Sequence, residues 1–337
     1  MMEPSMKAAV VNEPDAPFRV TQIARPQPAA GQVLIRIKAS GVNPLDTKIR
    51  AGRAPHAQQP LPAVLGLDLA GVIEALGDGV TAFRIGDEVY GLATGIGGLQ
   101  GSLAEYAAVD ADLIALKPTK LSMREAAAVP LVFITAWEGL VDRAKVGAGQ
   151  KVLIHGGAGG VGHMAVQIAR ALGAEVFATG SADDKAFIEQ LGATAIDYRK
   201  SSVEDYVNEH TAGRGFDVVY DTVGGATIDA SFKAVRRFGH VVSCLGWSTH
   251  ALAPLSFRAA TYSGVFTLLP MLTGEGKAHH GEILRNARAL IEAGKVRPRV
   301  DPRHFTLDEA ASAHLAVSSG SSTGKVVVDV DACGRQG

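Results

Sequence analysis

The chain has 337 residues, 47% hydrophobic and 20% charged, which is enough for two separate cores. Its 33 Lys and Arg against 34 Asp and Glu leave a net charge of −1 and no basic run, which excludes a nucleic-acid or membrane-surface partner recruited by charge. The two cysteines, Cys244 and Cys333, are too few for a disulfide framework or a four-cysteine zinc site and suit a cytoplasmic protein.

The N-terminal "MMEPSMKAAVV" has no apolar signal core, and Met6 is a candidate functional start. No stretch is long and apolar enough to predict a membrane span. From Lys7 to about Leu116 the segments "KAAVV", "VLIRIKAS", "LAGVIEAL", "EVYGL" and "LAEYAAV" are short, rich in β-branched residues and separated by Pro and Gly. They predict an antiparallel, barrel-like domain, with "GDGVTAFRIGDEV" turning between strands. Near Ser122 the pattern becomes helical. Ser122 and Glu125 have the spacing of a capping box, and Pro130 should break or kink the helix.

From Gln150 strands and helices alternate. "KVLIHG", "EVFATG", "TAIDY", "FDVVYDTV" and "HVVSCLG" are apolar runs that predict a parallel sheet covered on both faces. "SGVFTLLP" is a further strand candidate, and "HGEILRNARALIEAG" a helix. The segment from Arg299 to Val330 returns to strand and helix pieces, and the tail from Ala332 is expected to be loose. His279 and His280, beside Lys and Gly, read as a solvated loop, and Cys244 as a buried strand thiol.

Gly157, Ala158, Gly159, Gly160, Val161 and Gly162 form G-x-G-x-x-G. The pattern follows a strand and opens a helix, the context in which it binds a dinucleotide. The first glycine permits a tight turn, the second admits the pyrophosphate, and the third lets helix and strand pack. Free N–H groups at the helix start would face the phosphates. His155 should pack beneath this loop.

The end of the next strand distinguishes the dinucleotides. An NAD site usually places an acid there for the ribose hydroxyls. Here Thr179, Gly180 and Ser181 occupy it, while Asp183 and Asp184 come later and suit helix capping. Small residues followed by Lys185, with Tyr198, Arg199 and Lys200 at the end of the third strand, favour a 2′-phosphate and hence NADPH.

Taken together, "SGVNPLDTKIRAG", "LGLDLAGVIEALGDGVTAFRIGDEVYG", "AAAVPLVFITAW", "HGGAGGVGHMAVQIARALGA", "YDTVGG" and "STGKVVV" resemble the medium-chain dehydrogenases/reductases over nearly the whole chain. The resemblance is nearest to the zinc-independent quinone oxidoreductase branch. It implies an α/β protein: a GroES-like, mostly antiparallel β-barrel domain over 1–122 and 270–337, and a Rossmann doubly wound parallel-sheet domain over 123–269. Zinc-dependent relatives have ligands where this chain has Asn43, Leu67 and, near the third, Leu131, so no zinc is expected. Asp68 then reads as structural.

The resemblance further implies that Asn43 bonds near the nicotinamide ribose and that Asp46 and Thr135 line the same cleft. Backbone groups of Leu245, Gly246, Phe266, Thr267 and Leu268 would hold the carboxamide end of the nicotinamide, with Trp247 a candidate border of the acceptor pocket. Related reductases often place a Tyr where Ala54 stands, which leaves the proton donor unassigned; His56 is the nearest titratable candidate, though an exposed loop histidine is the commoner role. The expected reaction is NADPH-dependent hydride transfer to a quinone or other α,β-unsaturated carbonyl compound. The alternatives are a 2-enoyl-thioester reductase and an NADPH-binding protein with little turnover. An exposed sheet edge near Val265 predicts a homodimer.

Overall fold

The computed structural model describes residues 4–331; the expected loose tail and Cys333 lie outside them. The chain divides into two compact units. Met1–Leu131, Leu268–Ala293 and Arg297–Gly337 make one, and Val132–Thr267 with Gly294–Val296 the other.

The first unit is the mostly antiparallel one. Gln32–Val42 is its central strand, pairing with Asp68–Leu76, Tyr106–Asp110 and Val326–Asp329, all antiparallel. The sheet continues through Glu88–Leu92 to Ile114–Leu116 on one side, and ends at Phe305–Thr306 on the other. A smaller sheet orders Arg19–Ala24, Ser5–Val11 and Ala63–Val64. Residue 41 must be glycine, because a Cβ there would lie 2.2 Å from the Ala127 carbonyl oxygen.

The helical region starts as its sequence predicts. The Glu125 N–H donates to Ser122 Oγ at 3.2 Å, and Glu125 Oε2 accepts from the Ser122 N–H at 2.8 Å. Met123–Ala127 then ends, and a new helix, Pro130–Trp137, begins at the proline, where a missing N–H costs nothing. It leads into a π-helical segment, Glu138–Arg143, a rare geometry that tends to occur at functional sites.

The second unit is a six-stranded parallel sheet in the order Thr194–Asp197, Glu175–Gly180, Lys151–His155, Phe216–Asp221, Val235–Ser243, Thr261–Gly264. The crossovers are helical: Gly160–Ala171, Lys185–Gln190, Val203–Thr211 and Ala226–Ala234. Leu153, Phe177, Phe216, Val219, Phe232 and Val241 bury a core between sheet and helices. Each large side chain removed from water contributes about 1.5–3 kcal/mol. The strand order reverses beside Lys151–His155, whose C-terminal end carries the glycine loop, the usual ligand position in such sheets.

Three sequence expectations change. The last strand of the sheet is Thr261–Gly264, not "SGVFTLLP"; Val265 follows it, and a helix, Leu269–Thr273, takes over. Pro270 lacks the N–H a continuing strand needs but fits the first turn of a helix. His279 and His280 lie within the helix Lys277–Glu292, and His280 is fully buried because its face of the helix carries Ile283, Leu284 and Ala287 inward. Cys244 lies one residue past its strand, where burial pushes its thiol up to about 12, and Sγ donates to the Asp221 carbonyl at 3.8 Å.

Candidate dinucleotide and acceptor site

The glycine loop is tightly built. Gly156, just ahead of the motif, takes the left-handed conformation at φ +75° and so makes the turn. Gly157, expected to do so, instead packs: a Cβ there would lie 2.5 Å from Ala178 Cβ. A Cβ on Gly162 would lie 2.0 Å from the Gly156 carbonyl oxygen, so helix and loop touch there. Gly159 is the helix N-cap. The N–H groups of Gly160, Val161 and Gly162, in the first turn, have no carbonyl four residues back within the helix. They and the helix dipole favour a bound phosphate.

His155 supports this loop. Its Nδ1 lies 3.2 Å from Thr179 Oγ1, which also accepts the Gly156 N–H at 3.1 Å. Burial pushes its imidazole down to about 4, so the ring is neutral at pH 7 and is a packing group.

At the end of the next strand, Ser181 donates both its N–H and its hydroxyl to Asp184 Oδ2, at 2.9 and 2.6 Å. Asp184 therefore closes a local turn, in keeping with the capping reading. Gly180 has no room for a side chain, since a Cβ would meet Ile188 Cδ1 at 2.6 Å. Lys185 is 61% exposed and ion-paired with Glu189 one helical turn on. The exposed Tyr198 ring has the Arg199 guanidinium 5.6 Å from its centroid.

Asp221 and Ser243, at the ends of adjacent strands, organise the loops beyond them. Asp221 accepts the N–H groups of Val223 and Gly224 and the Ser243 hydroxyl, and Ser243 Oγ accepts the Leu245 N–H at 3.1 Å. The sequence reading missed Asp221, although an acid closing an apolar strand before "TVGG" was a usable signal. Trp247 is 60% exposed and meets Phe266 edge to face at 6.0 Å. Thr135 Oγ1 and Thr267 Oγ1 lie 3.1 Å apart, and Thr267 donates to Glu138 Oε2 at 2.7 Å. The buried Tyr220 hydroxyl donates to the Thr135 carbonyl at 2.7 Å, which ties the helix to the sheet.

In the other unit, Asn43 caps the helix Pro44–Arg50, and the Asn43 N–H donates to Asp46 Oδ2 at 2.7 Å. Asn43 Nδ2 donates to Asp68 Oδ2 at 2.9 Å, and Asp68 Oδ1 accepts the Leu131 N–H at 2.9 Å. Lys325, which sequence reasoning did not single out, donates to Asn43 Oδ1 and to the Val42 carbonyl, and lies 3.8 Å from Asp68 Oδ2. Asn43, Asp46, Asp68 and Lys325 are all buried. Burial raises both carboxyls and lowers the ammonium, and the attraction between each carboxylate and the ammonium opposes those shifts. Asp46 Oδ1 is buried without a partner.

Positions 67 and 131 are leucines: Leu67 precedes Asp68 in the chain, and Leu131 bonds Asp68 through its backbone N–H. Among the described residues, no three His, Cys, Asp or Glu side chains gather as metal ligands. Ala54 is buried beside a cavity of about 340 Å³ lined by Ile49, Gly52, Pro55, Gln58, Gln59 and Pro60. The nearby His56 is pulled down by partial burial and by Lys48.

An antiparallel unit and a parallel dinucleotide-type sheet in one chain define a class, the dehydrogenases and reductases. Residues 29–119 match the alcohol dehydrogenase GroES-like domain, and residues 191–328 match the zinc-binding dehydrogenase domain. The chain is 39% identical to the 2-methylene-furan-3-one reductase of Solanum lycopersicum and 36% identical to the chloroplastic NADPH-dependent alkenal/one oxidoreductase of Arabidopsis thaliana, in each case over 91% of this chain and 74% of the relative. It is 33% identical to the quinone oxidoreductase of Sus scrofa, over 91% of this chain and 92% of that one. An alcohol dehydrogenase superfamily protein from Novosphingobium aromaticivorans, of known crystal structure, superposes with a TM-score of 0.95 at 61% identity, covering 97% of this chain and all of that one. The chain belongs to the medium-chain dehydrogenase/reductase (alcohol dehydrogenase) superfamily, alongside its quinone and alkenal oxidoreductases, and is an oxidoreductase.

Proposed function

We propose that the protein reduces quinones and other α,β-unsaturated carbonyl compounds with NADPH, and that it does so without zinc. The observation that carries this reading is the cluster at Asn43. Where zinc relatives hold their metal, this chain has Asn43, Leu67 and Leu131, and the charge there is a buried Lys325 held by Asp68. Such a site offers no Lewis acid to an unactivated alcohol or ketone. It suits an acceptor whose own conjugation takes up the electron pair. NADPH supplies the hydride, and the chain's residues bind and orient.

In this reading residues 157–162 cradle the pyrophosphate, and Gly180, Ser181, Lys185 and Tyr198 take the 2′-phosphate. Leu245, Gly246, Phe266, Thr267 and Leu268 hold the carboxamide end. Asn43 bonds the ribose next to the nicotinamide, with Asp46 and Thr135 at the acceptor. The named substrates of the tomato and Arabidopsis relatives support a conjugated carbonyl acceptor, and the Arabidopsis name supports NADPH.

The test is NADPH oxidation with a quinone, an enone and a crotonyl thioester, each with and without a chelator. Turnover of the first two that survives chelation is expected. Loss on chelation overturns the zinc-free reading, and preference for the thioester favours an enoyl-thioester reductase. No helix among the described residues is long and apolar enough to cross a membrane. The low cysteine content supports a cytoplasmic location. Among the described residues the strand Thr261–Gly264 leaves one edge without a partner strand, which supports a two-fold dimer with a continuous sheet. A monomer by light scattering at micromolar concentration refutes it.

A further inference from the structure

Outside the residues assigned to the dinucleotide, the parallel-sheet unit brings a serine, a histidine and an aspartate into one hydrogen-bonded row. Ser248 Oγ lies 2.9 Å from His250 Nε2, and His250 Nδ1 lies 3.0 Å from Asp229 Oδ2. All three fall in the stretch Val132–Thr267, so the row is built within one unit. The helix Ala226–Ala234 supplies Asp229 and Phe232, which are three residues apart and share a face. The carboxylate meets the imidazole at Nδ1, and the Phe232 ring stands edge to face with it, centroids 6.3 Å apart. The imidazole is thereby held with 10% of its side chain exposed, while Asp229 keeps 49%. The loop after the strand Val235–Ser243 supplies Ser248 and His250. Asp229 also decides the tautomer. An ionised carboxylate only accepts, so the neutral ring carries its proton on Nδ1 and keeps a lone pair on Nε2. The Ser248 hydroxyl must then donate to Nε2, the arrangement in which imidazole takes a serine proton. Ser248 is exposed, and its N–H and that of Thr249 bond no other residue among those described. Trp247 and Leu252, each 60% exposed, precede and follow the pair in the chain and offer apolar surface.

We propose that Ser248, His250 and Asp229 form an esterase site, which transfers the acyl group of activated carboxylic esters to Ser248 and then to water. Ser248 Oγ attacks the ester carbonyl carbon, and its proton passes to His250 Nε2. The bond from that carbon to the alcohol oxygen breaks, and the departing oxygen takes the proton. Water then attacks the acyl-serine and gives one proton to Nε2, which returns it to Ser248 as the bond to Oγ breaks. The net change is ester and water to acid and alcohol, with no oxidant, reductant or dinucleotide. Ser248 and His250 are the catalytic residues, and Asp229 is a positioning residue that acts through the imidazole. The unbonded N–H groups of Ser248 and Thr249 are donors for the oxyanion that develops. An exposed serine has little binding energy to draw on, so the alcohol must be a good leaving group. That points to aryl esters of short acids, with Trp247 and Leu252 as apolar cover.

The test is hydrolysis of p-nitrophenyl acetate by the full chain with no dinucleotide added, together with labelling by phenylmethanesulfonyl fluoride mapped by peptide mass. The wild-type chain should release nitrophenolate catalytically and take one sulfonyl group, on Ser248, with loss of the activity. S248A should abolish both, and H250Q should slow hydrolysis by at least about a hundredfold. D229N should slow it about tenfold with KM unchanged, a modest loss because the carboxylate is half exposed, and D229E should recover part of it. Hydrolysis that persists in S248A, or a sulfonyl group on another residue, overturns the proposal, since ordinary surface nucleophiles would then account for the reaction. So does a wild-type chain that neither hydrolyses the ester nor takes the label. H250Q and D229N that both match the wild type overturn it as well, and mark the row as a surface hydrogen-bond chain. The readout needs neither NADPH nor a conjugated acceptor, so its failure and the failure of the reductase reading are separate results.

Discussion

Asp46 is the most informative residue to perturb. It lies in the first turn of the helix Pro44–Arg50 with no solvent exposure, one oxygen on the Asn43 N–H and the other unpartnered. Burial pushes its carboxyl up from 3.8 to about 7; the Asn43 N–H opposes this, Asp68 adds to it, and Lys325 opposes it. A carboxyl raised in the folded state keeps its proton there while the unfolded chain has lost its own. Its contribution to stability is therefore complete below pH 4 and lost as pH rises to 7. Titration at 3.8 unfolded and about 7 folded makes the fold on the order of 4 kcal/mol less stable above pH 7 than below pH 4. At about 2 °C per kcal/mol for a body of this size, the midpoint should move by on the order of 8 °C across that window. D46N is neutral at every pH, and its amide oxygen can still accept the Asn43 N–H. It should remove this part of the pH dependence, matching or trailing the wild type near pH 4.5 and exceeding it at pH 8. Far-UV circular dichroism suits the measurement, because both tryptophans, Trp137 and Trp247, lie in the other unit. Equal pH dependence in D46N and wild type, or a variant still less stable at pH 8, refutes a proton held on Asp46.

Two further outcomes follow from the nucleotide unit. K185A should weaken NADPH binding several-fold and leave NADH unchanged in equilibrium titrations, while E189Q, which removes the partner that competes for the ammonium, should tighten NADPH alone; equal effects on both cofactors refute a 2′-phosphate role. G162A puts a Cβ 2.0 Å from the Gly156 carbonyl oxygen, so it should cost about 1–3 kcal/mol of stability and lower affinity for both dinucleotides at least tenfold, and a variant that binds normally refutes the packing account of the loop.

The sequence made the second unit readable for a physical reason. Strands buried on both faces need continuous apolar runs, and "KVLIHG" and "FDVVYDTV" supply them without ambiguity. The Ser122 capping box and the break at Pro130 were equally legible, because both act within four residues of chain. What failed to show depends on distance or on competing local signals. "SGVFTLLP" has the composition of a strand, but Pro270 and the turn after Gly264 outweigh it. His280 looked solvated beside Lys and Gly until the helix rotated it inward. Lys325 was invisible as a partner of Asn43, because nothing in "STGKVVV" states which strand it will face. The candidate site was half legible on the same grounds: the phosphate loop is local, and the Asn43 cluster is assembled by register.

That cluster also raises an energetic question that the fold alone does not answer. Two carboxyls and one ammonium lie in a volume where an apolar set of similar size would, in general, be as stable or more so. Each ion loses several kcal/mol of hydration on burial, and Asp68 and Lys325 offset this only through one another and through Asn43. Direction is what charge supplies and apolar packing cannot. A leucine or methionine at 325 would fill space and leave the Asn43 amide indifferent to rotation. An ammonium on one side and a carboxylate on the other make the two orientations differ by several hydrogen-bond energies. Asp46, farther from Lys325 than Asp68 is and without a second partner for its own oxygen, is left as the acid that takes the proton and brings the cluster to neutrality. With the proton on Asp46, Asp68 and Lys325 remain as one ion pair 3.8 Å apart, with the Asn43 amide bonded to both.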